Sequence, residues 1–196
     1  MPSLKTKRSY MNTVTYPKIY FKGFSKVKLN RWILKHRKEL SCGALFTYSS
    51  EGISPLIKKV TKKYARSSFC PTHVGQIIQV GQEIMVFNQI PPKGELSLLS
   101  DYIFNASFDF EIVTFLDNNF DGFQYSKYVL THNGEKYGYF SAVQSGIKCL
   151  RWIYNHKRHC SEIQCLALQH QGFFKYVKAD DQTPIDVYNL LVYGGN

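Results

Sequence analysis

The hydrophobic positions of the chain follow strand-like spacing in four short segments. Residues 43–48, 73–80, 83–90 and 110–116 are rich in β-branched and aromatic residues, which predicts four strands. Only a Gly-Gln step separates the second segment from the third, and this spacing is typical of a β-hairpin. The sequence therefore predicts antiparallel pairing of these two strands.

Other segments carry apolar residues at every third or fourth position, which predicts helices. The predicted helices cover residues 26–39, about 54–64, 95–104, 123–131, 138–155, 160–170 and a last turn or helix from about 183. Residues 173–177 are a possible further strand, whereas residues 1–16 lack periodicity and are expected to form a tail or a loosely tied arm. Because the strands and helices mix without regular βαβ alternation, we expect the α+β class, with a small antiparallel sheet packed against helices.

The length of 196 residues suits one main domain. We assign residues 1–40 to a basic N-terminal extension that contains the predicted helix 26–39, and residues 41–196 to the main domain. The start of the chain has no apolar block of the kind found in secretory signals, and no run approaches the roughly 20 apolar residues of a membrane helix. These features predict a soluble cytoplasmic protein, and the Lys, Tyr, Phe and Asn-rich composition is typical of bacterial or phage proteins.

The net charge of +11 favours an acidic partner such as nucleic acid, an anionic wall polymer or a membrane surface. The basic residues cluster at 26–38, 58–63 and 156–159. In the second cluster the lysines lie mainly off the apolar side of the predicted helix, so we favour a solvated helix face over a nucleic-acid patch. The five cysteines are an odd number without a CxxC pair, which predicts reduced thiols, no zinc site and no cofactor.

The segment "RHCSEIQCLAL" places Cys160 at the predicted start of helix 160–170. Unpaired N–H groups and the helix dipole at such a position favour a thiolate over a thiol, and the same groups can stabilise an oxyanion. Cys160 is therefore a candidate nucleophile. We expect the other cysteines to behave as small buried hydrophobic residues.

A nucleophilic cysteine needs a base, and His73 is the best candidate among the six histidines. His73 opens the first strand of the predicted hairpin, and the neighbouring strand offers Asn88 or Gln89 to orient its ring. His36 belongs with the basic cluster 26–38. We expect solvent exposure for the remaining histidines, which are His132, His156, His159 and His170.

Four motifs in this order resemble the permuted NlpC-like cysteine hydrolases of the YiiX-like branch. The motifs are "GALFTY", "THVGQII", "VFNQ" and "CSEIQCLAL", followed by "TPIDVY", and the resemblance covers roughly residues 41–190. It implies a permuted papain-like fold in which the histidine precedes the cysteine in the chain. It also implies that Cys160 is the nucleophile, that His73 is the base and that Asn88 orients the ring.

The sequence departs from the family pattern at two positions. Asn88 stands where the family commonly has glutamate, so the orienting role remains open between Asn88 and Gln89. Ala44 replaces the usual aspartate, a position that we take to be structural. We expect Ser161 and Glu162, which belong to the cysteine motif, to bind N–H groups of the first helical turn.

The resemblance implies a cysteine hydrolase that cleaves an amide bond through a Cys160 thioacyl intermediate. A peptide or a peptidoglycan stem peptide is the expected substrate, and no cofactor or metal is required. One alternative is a lipid acyltransferase or thioesterase on the same fold. The other is a non-catalytic basic module that binds nucleic acid.

Overall fold

The computed structural model describes residues 12–49, 54–116, 119–138, 142 and 158–194. Its strands form one antiparallel sheet in the order β1-β6-β2-β3-β4-β5. The strands are β1 (Thr13–Pro17), β2 (Ala44–Tyr48), β3 (His73–Val80), β4 (Glu83–Gln89), β5 (Gly94–Leu98) and β6 (Asp109–Phe115). The expected α+β class with an antiparallel sheet is therefore confirmed.

The helices of the described residues cover both faces of the sheet. They are α1 (Lys26–Lys35), α2 (Arg37–Leu40), α3 (Ser54–Thr61), α4 (Leu99–Phe104), α5 (Gly122–Leu130), α6 (Cys160–His170) and α7 (Pro184–Tyr193). Short 3₁₀ turns lie at Lys18–Phe21, Lys62–Tyr64 and Ala179–Asp181. No helix among the described residues has the length and apolar composition needed to cross a membrane.

Side-chain alternation along the strands divides the core into two layers. Phe46 and Val74 belong to the layer that packs under α5, α6 and α7. Leu45 and Ile77, at alternate positions of the same two strands, belong to the layer under α1 and α4. Since successive strand residues point to opposite faces, each central strand supplies both layers. The central strands are consequently buried on both sides.

The β3–β4 hairpin forms as predicted and carries three of the candidate site residues, His73, Asn88 and Gln89. Val80 pairs with Glu83, which leaves Gly81 and Gln82 as the two-residue loop. Gly81 has φ +61°, a left-handed conformation that this kind of tight turn requires and that glycine adopts without steric cost. The tight turn fixes the register that brings the end of β4 back to the start of β3.

The N-terminal region differs from the prediction. The expected tail is wrong at residues 13–16, because these residues form most of β1 and pair with β6 at the edge of the sheet. The predicted helix 26–39 is two helices, α1 and α2, which meet at His36. His36 leaves helical geometry, and its Nδ1 lies 2.9 Å from the carbonyl oxygen of Trp32. The described part of the N-terminal extension therefore supplies the edge strand β1 of the sheet and the two helices α1 and α2.

Two later predictions are also corrected. Residues 95–98 are not helical but belong to β5, because their backbone pairs with β4 and only residues 99–104 form a helix. Residues 173–177 form turns rather than a strand. Phe174 has φ 47° there, and Gln169 Nε2 donates hydrogen bonds to the carbonyl oxygens of Phe174 and Val177. The predicted helix 138–155 lies outside the described residues, apart from residues 138 and 142.

Candidate active site

Cys160 is the first residue of α6, as predicted, and β3 holds this helix start in place. The buried side chain of Gln76 on β3 donates a hydrogen bond from Nε2 to the carbonyl oxygen of Cys160 at 3.1 Å. The residue before the helix, His159, makes no side-chain hydrogen bond to an N–H group of the first turn. The helix start is therefore anchored through the carbonyl oxygen of Cys160. The His159 side chain does not accept hydrogen bonds from the backbone N–H groups of the first turn.

His73 and Asn88 meet at the end of the sheet where the hairpin returns. His73 is the first residue of β3 and is partly buried, whereas Asn88 on β4 is fully buried. Nε2 of His73 lies 3.1 Å from Oδ1 of Asn88. Because an amide oxygen only accepts hydrogen bonds, Nε2 carries the proton in this contact. Nδ1 is then the ring nitrogen that can exchange a proton with the Cys160 thiol.

Gly75 leaves the space that the Asn88 side chain occupies. The β3–β4 register places Gly75 across from Asn88. A Cβ atom at this glycine would lie 2.7 Å from Asn88 Oδ1 and 2.6 Å from Cγ2 of Val86. Real Cβ atoms essentially never approach other atoms this closely. The small residue in "THVG" is therefore a steric requirement of the His73–Asn88 contact.

The His73 ring makes Cys160 acidic despite the burial of the thiol. Burial alone raises the pKa of Cys160, but attraction to His73 and a hydrogen bond with its ring outweigh this effect. Attraction to His159 and a hydrogen bond from the Val74 backbone act in the same direction, and the pKa is lowered to about 7.

The pKa of His73 shifts in the complementary direction. Burial lowers the pKa of His73, whereas the Cys160 thiolate and the hydrogen bonds to Cys160 and Asn88 raise it, with a net increase. The two shifts stabilise the same charged state, a thiolate beside an imidazolium.

Cys42 and Cys165 lack this activation. Both are buried, and the exposed fraction of Cys160 is 3%, close to the 6% of Cys42 and the 2% of Cys165. Exposure therefore does not distinguish them. Burial raises the pKa of the Cys42 thiol to about 12 and also raises that of Cys165. Both residues are buried hydrophobic side chains, as predicted for the cysteines outside the site.

His159 is buried, so the expectation that it is exposed is wrong. Only 1% of its surface is accessible. Its Nε2 donates to the carbonyl oxygen of Gln182 at 3.0 Å, and its Nδ1 lies 3.4 Å from Oε2 of Glu162. Burial lowers the pKa of His159, but the hydrogen bond to Glu162, the Cys160 thiolate and the Gln182 carbonyl raise it overall. The protonated form of His159, the residue next to Cys160, is therefore favoured relative to that of an ordinary histidine.

The flanking motif residues Ser161 and Glu162 contact the region around this histidine. Ser161 Oγ donates to the Gln182 carbonyl at 2.8 Å, the same oxygen that accepts from His159. Glu162 lies beside His159, and its Oε1 is 4.0 Å from Nε of Arg158. Ser161 and Glu162 therefore help to hold the residue before the nucleophile, and their predicted capping roles stay a prediction.

Of the two candidate orienting residues, Asn88 is the one whose side chain lies within hydrogen-bond distance of the His73 ring. The Nε2 atom of Gln89 points to the carbonyl oxygens of Glu135 and Lys136, at 3.3 and 3.4 Å. Asn88 alone of this pair supplies an acceptor to the ring. Ala44, where the family has aspartate, is fully buried in the core under α6.

The remaining histidines lie outside the pair. His132 is buried beside Glu135 and Arg158, contrary to the expected exposure, because Arg158 and Glu135 satisfy its ring. His170 is exposed as expected, and His156 lies outside the described residues. Within the described part of the chain, no group of three or more His, Cys, Asp or Glu side chains is arranged to hold a metal ion.

Sequence reasoning missed Gln76 and His159. Gln76 is a polar residue inside an apolar strand, and such a residue indicates a specific buried partner. His159 precedes the helix, and Glu162 follows it three residues later, the spacing at which a residue before a helix meets the first turn. Both signals were readable, but Cys160, the partner of Gln76, and Gln182, the second partner of His159, lie at distant positions in the chain.

Comparisons with known proteins add no family or relative to this description. No family model matches the chain, and no curated protein is significantly similar to it. The chemistry therefore follows from the geometry. A thiolate at a helix start, an adjacent histidine and an amide that fixes the histidine ring are suited to attack on a carbonyl carbon.

Proposed function

We propose that this protein is a cysteine hydrolase with a permuted papain-like fold, in which Cys160 is the nucleophile, His73 the base and acid, and Asn88 the orienting residue. The observation that carries the proposal is the Nε2–Oδ1 contact of 3.1 Å between His73 and Asn88, combined with the lowered pKa of Cys160. A buried thiol with no catalytic use would be expected to have a raised pKa, as Cys42 has.

The proposed reaction has two steps. The Cys160 thiolate attacks the carbonyl carbon of an amide, and the N–H groups at the start of α6 stabilise the resulting oxyanion. The C–N bond then breaks, and His73 gives its proton to the departing amine, which leaves a thioester on Cys160. Water attacks the thioester while His73 removes its proton. The C–S bond breaks, and the products are a carboxylic acid and the free thiol.

Asn88 serves this cycle by holding the His73 ring through both proton transfers. A neutral amide fixes the ring but stabilises the imidazolium less than a carboxylate would. His159 supplies additional positive charge beside the Cys160 thiolate. His159, the residue before the nucleophile, therefore provides part of the charge stabilisation that a carboxylate in place of Asn88 would otherwise provide. A peptide or peptidoglycan stem peptide remains our leading substrate class.

An acyl-lipid substrate is the second candidate, and a specific observation favours it. A groove of about 520 Å³ lined by Phe21, Phe24 and Phe110 lies near the same end of the sheet. Phe110 and His73 both pair with Thr47, so Phe110 is two strands away from His73, or about 10 Å. The groove opens on the α1 and α4 side of the sheet, whereas Cys160 lies on the α6 side, so an acyl chain bound there would have to pass the end of the sheet at His73 to reach the nucleophile.

Intact-protein mass spectrometry tests the proposal. The protein is mixed in parallel with stem peptides, with a mixed peptide library and with a phospholipid, quenched in acid and weighed. An acyl adduct that maps to Cys160 and is absent from Cys160→Ala supports the thioacyl mechanism, and the substrate that yields it identifies the bond. An adduct on another residue, or equal turnover by Cys160→Ala, overturns the mechanism. A basic binding module would instead bind nucleic acid and form no adduct.

A further inference from the structure

One face of the molecule exposes an unusual concentration of large apolar side chains. This basic apolar face consists of residues 18–22, the outer side of α1 and the end of α4. Half of the large hydrophobic residues that are exposed in the described structure lie here, namely Ile19, Tyr20, Val27, Leu34 and Phe104. Single exposed hydrophobic residues need no explanation, whereas a cluster marks an interaction surface.

Helix α1 is apolar on two opposite sides. Leu29, Trp32 and Ile33 are buried against the sheet. Val27 and Leu34, two turns apart, point the opposite way and are 67% and 63% exposed. A helix that only covers a core would have polar residues at these two positions. The outer side of α1 therefore has apolar contacts available to a partner.

Basic side chains surround these apolar residues. Lys22, Lys28, Arg31 and Lys35 are exposed, and Arg31 lies between Val27 and Leu34 on the outer side of α1. Two further lysines are engaged within the face, since Lys26 Nζ is 2.7 Å from Asp101 and Lys18 Nζ donates to the Phe108 carbonyl oxygen at 2.8 Å. The acidic residues of this face are Asp101 and Asp109, so positive charge predominates.

The groove described above opens within this face. Its lining is mainly apolar and includes Ile19 and Phe104, together with the charged residues Lys18, Lys22 and Asp109. A mainly apolar depression whose lining includes lysines matches a lipid leaflet, in which acyl chains lie below anionic phosphates. A nucleic-acid interface is highly polar and would leave Val27, Leu34 and Phe104 without apolar partners.

We propose that the basic apolar face docks the protein on an anionic lipid bilayer. Val27, Leu34, Ile19 and Phe104 enter the boundary between headgroups and acyl chains, and the surrounding lysines and Arg31 bind lipid phosphates. The groove and His73 share one end of the sheet, whereas Cys160 belongs to the core layer on the side opposite α1 and α4. The inference goes beyond the proposed hydrolase function and does not depend on it.

Vesicle co-sedimentation tests this proposal with the full chain carrying Cys160→Ser, so that no reaction occurs. Vesicles of phosphatidylcholine alone are compared with vesicles that also contain phosphatidylserine. We expect binding to the anionic vesicles only. Val27→Ser/Leu34→Ser should weaken this binding at least about tenfold, because two exposed apolar anchors are lost. Lys28→Gln/Arg31→Gln should weaken it by about fivefold for each charge removed.

Matched control variants separate this face from general charge and hydrophobicity. Phe123→Ser removes a 73% exposed aromatic residue from α5, and Lys59→Gln/Lys62→Gln removes two exposed lysines from the basic cluster near α3. Both controls should bind the vesicles like the parent. Equal losses in the control variants and the test variants would overturn the assignment of the face.

Three other outcomes would also overturn the proposal. One is the absence of vesicle binding by the parent. Another is binding to a DNA duplex that weakens in Lys28→Gln/Arg31→Gln but not in Val27→Ser/Leu34→Ser, which would assign the face to nucleic acid. The third is self-association in solution that Val27→Ser/Leu34→Ser abolishes without any vesicle binding, which would assign the face to a second copy of the chain.

Discussion

Gly75→Ala should uncouple the orienting amide from the candidate base without altering either residue. The added Cβ would lie 2.7 Å from Asn88 Oδ1, whereas ordinary contacts begin at 3.4 Å, so the amide has to move by about 0.7 Å. The present Oδ1–Nε2 distance of 3.1 Å leaves little tolerance for this movement before the contact exceeds hydrogen-bonding range. We therefore expect the Asn88–His73 hydrogen bond to be lost.

The size of the effect follows from the energy of one hydrogen bond. Losing the Asn88 contact removes about 1 kcal/mol of support for the imidazolium form of His73. Since 1.36 kcal/mol corresponds to one pKa unit, the midpoint of Cys160 thiolate formation should rise by about 0.7 pH unit. The direction follows because the Asn88 hydrogen bond raises the pKa of His73, and His73 in turn lowers the pKa of Cys160.

The assay is the rate of Cys160 alkylation by iodoacetamide as a function of pH. Ile78→Val is the matched control, because it removes one methyl group from the same strand and costs roughly 0.5–1.5 kcal/mol of stability without touching the site. Its alkylation midpoint should equal that of the parent. If Gly75→Ala remains folded by circular dichroism and its midpoint is unchanged, the proposed support of His73 by Asn88 is wrong.

Three further predictions use the same protein. Asn88→Asp should shift the alkylation midpoint downward, opposite to Gly75→Ala, because a carboxylate stabilises the His73 imidazolium; an upward shift contradicts the orienting role. His159→Gln should raise the midpoint, because it removes a positive charge beside the thiolate, and an unchanged midpoint would exclude that influence. Thr183→Ala should lower the free energy of unfolding by about 1 kcal/mol in urea, because Thr183 and Asp186 form a capping box at the start of α7. That variant should leave the alkylation midpoint unchanged, and a shifted midpoint would show that α7 also sets the geometry of the site.

Local signals in the sequence were sufficient for the central hairpin and the candidate nucleophile. β3 and β4 combine β-branched residues with a Gly-containing two-residue loop, so both their existence and their register could be read directly. The start of α6 at Cys160 was also predicted, as was the start of α7 at Thr183 and Pro184. In these segments, pattern and tertiary packing favour the same structure.

The edge strands were missed because their local patterns were ambiguous without the neighbouring strand. β1, TVTYP, carries a run of β-branched and aromatic residues, but it is short and lies in a polar, basic region, and its pairing with β6 shows that it is a strand. Residues 95–98 have apolar spacing compatible with a helix, but their backbone pairs with the free edge of β4, so they form part of β5. Strand propensity depends on the neighbouring strand, which the local sequence does not contain.

The surroundings of the nucleophile were predicted only in part for a similar reason. His73 and Asn88 belong to one hairpin, so their meeting followed from the predicted turn. The burial of His159 depends on the Gln182 carbonyl, more than twenty residues away, and on Glu162. Adjacent helical residues do not face each other, yet His159 precedes the first turn of α6, and its charge still acts on the Cys160 thiol.

Cys160 and His73 act as a pair in the proposed mechanism, in which His73 takes the proton of the Cys160 thiol. Site-resolved alkylation tests this pairing most directly. The parent and His73→Ala are treated briefly with iodoacetamide at a series of pH values, and each cysteine is quantified by peptide mass spectrometry. We predict that Cys160 reacts before Cys42 and Cys165 with a midpoint near pH 7, and that His73→Ala moves this midpoint above about 8.5, the value of an ordinary cysteine. Equal midpoints in the two proteins, or labelling of Cys160 no faster than of Cys42, would contradict the account.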